Sequence, residues 1–245
     1  MEPLSKEELT LTAASIREEL AAVSSAEDAR FLAGYFKTGP GGYGEGDIFI
    51  GVRVPVSRSI SKRYRSLPLE EIDELLESPI HEHRLCALHI LVMQFEKAKT
   101  KRHREELFDF YMDAALRGRI NNWDLVDTSA PTLGKWLVEH PRKTLILNLA
   151  RSPKLWERRI AIMFTFAHIR AWEFGVPQHI AMILLSDKHD LIHKAVGWML
   201  REIGNRDGKV LRDFLDLHHT KMPRTMLRYA IEKFDPAERA YWLGK

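Results

Sequence analysis

From Ser5 onward, apolar residues recur at three- and four-residue spacing, which is the period of helices that bury one face. Short Pro, Gly or Asp breaks separate these stretches, as at Ser66-Leu67-Pro68. One region departs from the pattern. Residues 39–47 are a glycine-rich loop, and residues 48–55 are too short and too closely bounded by Pro and Gly to be a helix. The pattern therefore predicts an all-α protein with one extended connector over residues 48–55.

Four of the predicted helices align at a nearly constant interval, on Asp127, Ala161, Ala195 and Ala230. The intervals are 34, 34 and 35 residues, and a segment around Ala87 resembles an earlier copy. Such a period is typical of stacked helical pairs, so we expect an α-solenoid that forms one domain over residues 1–245. Small residues at the aligned position let helices pack closely, but one repeat carries a carboxylate there.

Composition and charge narrow the class of protein only slightly. The formal net charge of the 245 residues is +3, but residues 1–47 are acidic and the remainder carries a net charge of about +8. This modest surplus is compatible with a polyanion as partner and does not demand one. The single cysteine, Cys86, excludes an intrachain disulfide, and its apolar neighbours predict a buried thiol in a reducing compartment.

The first residues and the hydropathy of the chain predict the subcellular location of the protein. Residues 1–20 contain five glutamates and no apolar signal segment, and no uninterrupted apolar stretch reaches the roughly 18 residues that a membrane span needs. We therefore expect a cytoplasmic protein without a membrane anchor.

Two tryptophans lie near charged residues, which suggests a binding or catalytic site. Trp123 and Asp127 are four residues apart, so a helix places an indole and a carboxylate on one face. Two repeats later, Trp198 lies between Lys194 and Arg201. An indole face and a carboxylate both attract a cation. The remaining tryptophans are predicted to be core residues: Trp136, Trp156, Trp172 and Trp242.

Asp127 permits two interpretations. As a structural residue it would cap a helix or form an ion pair with Arg158 or Arg159 of the next repeat. As a functional residue it would face positive charge that develops on a substrate. Both interpretations predict a lowered pKa for the carboxyl group, and only its access to solvent separates them.

Basic residues recur along the predicted repeats. Their spacing is what a track for DNA phosphates requires, although a solvated face explains such residues equally well. The predicted DNA-binding residues are Arg53, Arg58, Arg158, Arg159, Lys194, Arg201, Lys221 and Arg224.

Neither a metal nor a nucleotide cofactor is expected. His189 and His193 are four residues apart, as helical zinc ligands would be, but neither a metalloprotease glutamate nor a thiolate pair accompanies them. The glycine-rich loop lacks the Gly-Lys-Ser/Thr sequence that cradles phosphates in nucleotide-binding proteins.

Four segments occur in order and at repeat spacing: residues 35–41 with 49–55, 123–127, 156–161 and 194–202. In these segments the chain resembles the AlkD-type DNA alkylation repair proteins, and the resemblance extends from about Phe31 to Phe234. Phe31 departs from the pattern, because some members have a tyrosine there.

The resemblance implies a right-handed α-solenoid of HEAT-like repeats and a DNA glycosylase without metal or cofactor. Such an enzyme hydrolyses the N-glycosidic bond of cationic N3- or N7-alkylated purines in duplex DNA, without flipping the base. Carried over by position, Asp127 is the catalytic carboxylate, Trp123 and Trp198 are the cleft indoles, and Arg159 is the basic residue beside them.

On this interpretation the protein is a monomeric, nucleoid-associated enzyme of base excision repair. Two other classes of protein fit the same repeats. A non-enzymatic repeat protein could bind distorted or branched DNA, with salt-sensitive affinity that is indifferent to Asp127. A scaffold of HEAT repeats could instead bind another protein, through an exposed apolar groove or a groove for an acidic partner.

Overall fold

The computed structural model describes residues 11–244. Within this range the regular secondary structure is helical, apart from one isolated parallel bridge between Ile48 and Ile80. The prediction of an all-α protein is confirmed. No helix that the structure describes is both long enough and apolar enough to cross a lipid bilayer.

The chain forms two compact units, the first ending at Lys99 and the second beginning at Thr100. The first unit contains α1 (Ala13–Ala22), α2 (Ala26–Tyr35), α3 (Val54–Arg63), α4 (Leu69–Leu76) and α5 (His81–Lys97). The single domain over residues 1–245 stays a prediction, and residues 1–10 and 245 lie outside the described part.

The second unit contains the remaining helices. They are α6 (Lys101–Leu116), α7 (Trp123–Leu133), α8 (Lys135–Glu139), α9 (Lys143–Ala150), α10 (Leu155–Arg170), α11 (Gly175–Leu184), α12 (Asp190–Arg206), α13 (Gly208–His218), α14 (Arg224–Ala230) and α15 (Pro236–Trp242), with a 3-10 turn at His219–Lys221.

In the first unit, a buried carboxylate fixes the predicted connector. The side chain of Glu82 accepts hydrogen bonds from the backbone N–H groups of Ile50, Gly51 and Val52. The connector is shorter than predicted, because α3 begins at Val54. Pro55 fits the first helical turn, where an N–H group would have no helical partner.

The second unit contains a row of helices that corresponds to the predicted repeats. Helices α7, α10, α12 and α14 pack against one another in this order, and we call them the front row. Helices α9, α11 and α13 pack behind them, against α10 and α12. The aligned residues Ala161, Ala195 and Ala230 are buried in the front row, while Asp127 is half-buried. The right-handed sense of a solenoid stays a prediction.

The tryptophan predictions are correct in part. Trp136 and Trp242 are buried, and Trp156 is half-buried. Trp172 is 63% exposed, so its assignment to the core is wrong. It follows the end of α10 with a φ of 62°, and the N–H groups of Trp172 and Glu173 bond back to carbonyls of the last helical turn. Helices often end in this left-handed turn, which usually contains glycine.

Cys86 is buried, as predicted. Burial raises the pKa of its thiol to about 11, although a contact with the Ser61 hydroxyl group opposes the shift. The thiol is therefore protonated and a poor nucleophile at neutral pH.

Close helix packing predicts the effect of a methyl group at Gly134. A Cβ atom there would lie 2.4 Å from the backbone oxygen of Phe164 on α10. We expect Gly134→Ala to lower the free energy of unfolding by about 1–3 kcal/mol, because two backbones must move apart. Urea denaturation measures the change. Gly175→Ala is the matched control, since nothing lies within 4 Å of its added methyl group. Equal stability of the two variants would contradict the prediction.

Candidate functional site

The N-terminus of α7 presents Trp123 and Asp127. The buried Asn122 caps this helix, and its side chain accepts a hydrogen bond from the backbone N–H of Trp123. The helix then places Trp123 and Asp127 one turn apart on one face, and both are half-buried. The spacing thus produces the predicted pair of indole and carboxylate on the front row.

Asp127 forms a two-pronged ion pair with Arg159 of α10. Arg159 Nε lies 2.9 Å from one carboxylate oxygen, and Nη2 lies 2.7 Å from the other. The Arg159 side chain is only 5% exposed and the Asp127 side chain 17%. Arg159 Nη1 also donates to the carbonyl oxygen of Leu191 on α12, at 2.5 Å. One guanidinium therefore connects three helices of the front row.

The predicted lowering of the Asp127 pKa is wrong. Burial raises the pKa of this carboxyl group above its usual value, although the charge and hydrogen bonds of Arg159 oppose the shift. The nearby Asp124 carboxylate adds to the increase. Sequence spacing gave two candidate cations, Arg158 and Arg159, but did not report the loss of water around the carboxylate.

Trp198 contributes the second indole, on α12. It is half-buried, and its Nε1 donates a hydrogen bond to Glu202 Oε1 at 3.2 Å. Its ring centroid lies 6.4 Å from that of Phe166 on α10. The guanidinium of Arg170 lies over the other ring, 5.6 Å from the Phe166 centroid.

Phe166 lies beside Trp198 in the candidate site and Arg170 lies over Phe166, but the sequence interpretation missed both residues. They follow Arg159 on α10 by seven and eleven residues, so the helical period places all three on one face. Phe166 is half-buried and Arg170 is exposed. That spacing was a readable signal, but an isolated Phe in an apolar stretch is indistinguishable from a core residue.

The other predicted DNA-binding residues of the front row have partners within the chain. Arg158 donates to Asp187 and to the carbonyl oxygens of Ser152 and Pro153, and it does not contact Asp127. The remaining contacts pair Lys194 with Asp190, Arg201 with Glu232, and Arg224 with the Leu243 carbonyl oxygen.

The last three predicted DNA-binding residues lie elsewhere. Lys221 is exposed in the 3-10 turn that follows α13. Arg53 and Arg58 belong to the first unit, where Arg53 pairs with Asp28 and Arg58 donates to His89. The structure thus brings Asp127 and Arg159 together, and it connects them through Leu191 to the helix that carries Trp198.

The two histidines considered as zinc ligands, His189 and His193, form hydrogen bonds at the N-terminus of α12. The His189 side chain accepts a hydrogen bond from the backbone N–H of Leu191, and His193 Nε2 lies 2.5 Å from the carbonyl oxygen of Asp187. Within residues 11–244, no three His, Cys, Asp or Glu side chains are grouped so that they could hold a metal ion.

Comparison with known proteins identifies a family. A family described as "DNA alkylation repair enzyme" matches residues 16–234, which confirms the resemblance read from the sequence. No curated protein matches the chain at a significant level. A solved structure, "Predicted DNA alkylation repair enzyme from Enterococcus faecalis", is similar with a TM-score of 0.70 and 17% identity, over 87% of this chain and 97% of that one. At this identity the likeness shows a shared fold.

The ion pair makes the stability of the protein depend on Arg159. We expect Arg159→Met to lower the free energy of unfolding by about 3–5 kcal/mol, because it leaves a largely buried carboxylate unpaired. Urea denaturation measures the loss, which Asp127→Asn in the same chain should partly restore. Arg170→Met is the control at an exposed position on the same helix. A loss below about 1 kcal/mol for Arg159→Met would contradict the prediction.

Proposed function

Because the chain belongs to the DNA alkylation repair enzyme family, we propose that it is a DNA glycosylase specific for cationic alkylated purines. It hydrolyses the N-glycosidic bond of N3- or N7-alkylated purines in duplex DNA. The observation that carries this proposal is the Asp127 carboxylate, which is fixed by Arg159 on the same row of helices as two half-buried indoles.

The chemistry needs few protein groups. Alkylation at N3 or N7 gives the purine a positive charge, so the base leaves without being protonated by a general acid. Departure of the base leaves positive charge on the deoxyribose, as in the oxocarbenium-like transition state of glycoside hydrolysis. Asp127 stabilises this sugar cation and orients the attacking water. The faces of Trp123 and Trp198 pack against the sugar and attract its charge.

The ion pair supports this role of Asp127. A carboxylate held at both oxygens cannot rotate, so it acts as a preorganised negative charge that needs no rearrangement during the reaction. Arg159 is bound to Asp127 and to the Leu191 carbonyl. In this proposal it holds the carboxylate, and the DNA contact expected of it from the sequence stays a prediction.

Duplex DNA is bound through cations of the front row that are exposed or partly exposed. Lys194 and Arg201 exchange their carboxylate partners for phosphates, which is feasible because partly exposed ion pairs contribute little stability. Arg170 adds a cation on the same face as Phe166. In this proposal the front row belongs to a right-handed solenoid of HEAT-like repeats, and its contacts fall on the backbone and deoxyribose without base flipping.

A non-enzymatic DNA-binding protein is the second candidate. The observation that favours it is the same ion pair, because a carboxylate neutralised by Arg159 is also what a purely structural residue would show. This candidate requires DNA binding that is indifferent to Asp127 and yields no abasic product.

Replacing Asp127 separates the two candidates. With enzyme in excess over a duplex that contains one 7-methylguanine, we expect Asp127→Asn to slow abasic-site formation by about 10²–10³-fold, because it removes a preorganised charge. Alkaline strand cleavage detects the product. Asp187→Asn is the matched control, since it breaks the neighbouring, partly buried ion pair with Arg158. Rates near wild type for Asp127→Asn would refute the mechanism, and DNA binding without product by the wild type would establish the binding protein.

The raised Asp127 pKa predicts the pH dependence of the reaction. The active form is the carboxylate, so the rate falls as pH falls through the pKa of this group. Because burial raises that pKa, we expect the acidic limb of the single-turnover rate at a pH above 3.8, the ordinary value for aspartate. Rates are corrected for uncatalysed base loss. A limb at or below pH 3.8 would contradict the prediction.

A further inference from the structure

The indole of Trp198 is held by Glu202 of its own helix, and Glu202 is held in turn by Arg206. Its Nε1 donates to Glu202 Oε1 at 3.2 Å, and Arg206 Nη1 lies 3.4 Å from Glu202 Oε2 and 3.2 Å from the Glu202 carbonyl oxygen. The three residues are four apart, so they lie one turn after another along α12. The Glu202 and Arg206 side chains are 19% and 22% exposed, so water screens these contacts only in part.

This arrangement does two things to the ring. The hydrogen bond from Nε1 fixes the rotation of the indole about its side-chain bonds, which would otherwise vary at a half-buried position. A carboxylate at the N–H edge also polarises the ring, so that its faces become more negative and attract a cation more strongly. Arg206 keeps the carboxylate in place from the opposite side.

We propose that Glu202 is a positioning residue of the site, which acts on the substrate through Trp198. It orients the indole and strengthens the attraction of the indole face for the sugar cation. This inference rests on the proposed glycosylase function, and it assigns to Glu202 an effect on rate without a contact to DNA. Arg206 serves Glu202 in the same indirect way.

The same contacts between a tryptophan, a glutamate and an arginine occur a second time, outside the front row. Trp242 Nε1 lies 3.4 Å from Glu238 Oε1, and Arg212 donates to both carboxylate oxygens of Glu238. Trp242 is buried, on α15. Glu238→Gln therefore changes the same chemical groups as Glu202→Gln, but at a position outside the proposed catalytic site.

The test compares the two variants in single-turnover excision of 7-methylguanine. Glutamine keeps an oxygen that can accept the indole hydrogen bond but removes the charge. We expect Glu202→Gln to slow base release by about three- to tenfold, the range of one hydrogen bond or cation–π contact. The affinity for DNA should not change. Glu238→Gln should leave both the rate and the affinity unchanged.

A double-mutant cycle shows whether Glu202 acts through the indole. Phenylalanine at position 198 lacks the N–H group, so we expect Glu202→Gln to have no further effect on the rate in a Trp198→Phe background. The ¹H–¹⁵N resonance of the Trp198 indole, assigned by its loss in Trp198→Phe, should shift in Glu202→Gln. The same resonance should stay in place in Glu238→Gln.

The outcomes distinguish this inference from the function on which it rests. A wild-type protein that releases no base overturns the proposed function and, with it, the catalytic effect of Glu202. An active wild type with an equally active Glu202→Gln overturns the role of Glu202 alone. The same holds if Glu202→Gln slows the reaction as much in the Trp198→Phe background as in the wild type.

Discussion

The second unit depends on one buried guanidinium group, which contacts three oxygen atoms on two neighbouring helices. Arg159 of α10 holds both carboxylate oxygens of Asp127 on α7 and the carbonyl oxygen of Leu191 on α12. Burying either charge alone would cost several kcal/mol, so each of the two residues stabilises the other at this place. The pair fixes the carboxylate in position and joins the helix of Trp123 to the helix of Trp198. Structure and proposed chemistry thus have the same physical origin.

The aligned residues of the other front-row helices show how closely packed the surroundings of the Asp127 carboxylate are. Ala161, Ala195 and Ala230 are buried at the aligned positions, where small side chains let successive helices approach closely. A carboxylate in such a place loses most of its water, which is why burial raises its pKa despite the cation beside it. That combination of a dry surrounding and a fixed negative charge is what stabilisation of a sugar cation requires.

Helical periodicity was enough to predict the helices, the repeat interval and the proximity of Asp127 to an arginine of the next repeat, but it did not choose between Arg158 and Arg159. Periodicity could not predict properties that depend on a balance between opposing free-energy contributions. The pKa of Asp127 reflects a balance of burial and ion pairing, and spacing reports only the pairing. Trp172 is exposed because it occupies a left-handed turn after α10, where sequence statistics favour glycine. The proximity of the Phe166 ring to Trp198 depends on the packing of α10 against α12, which sequence spacing does not report.

In the proposed reaction, the front row stabilises positive charge on the deoxyribose as the base departs. The most direct measurement is the secondary kinetic isotope effect of deuterium at C1′ of the 7-methylguanine nucleotide, under single-turnover conditions. The account predicts a normal effect, with the protium substrate reacting faster, because C1′ becomes planar and cationic before water attacks. An isotope effect of unity on a rate shown to report bond cleavage would contradict this, since C1′ would then keep partial bonds to both the base and the attacking water and carry little positive charge.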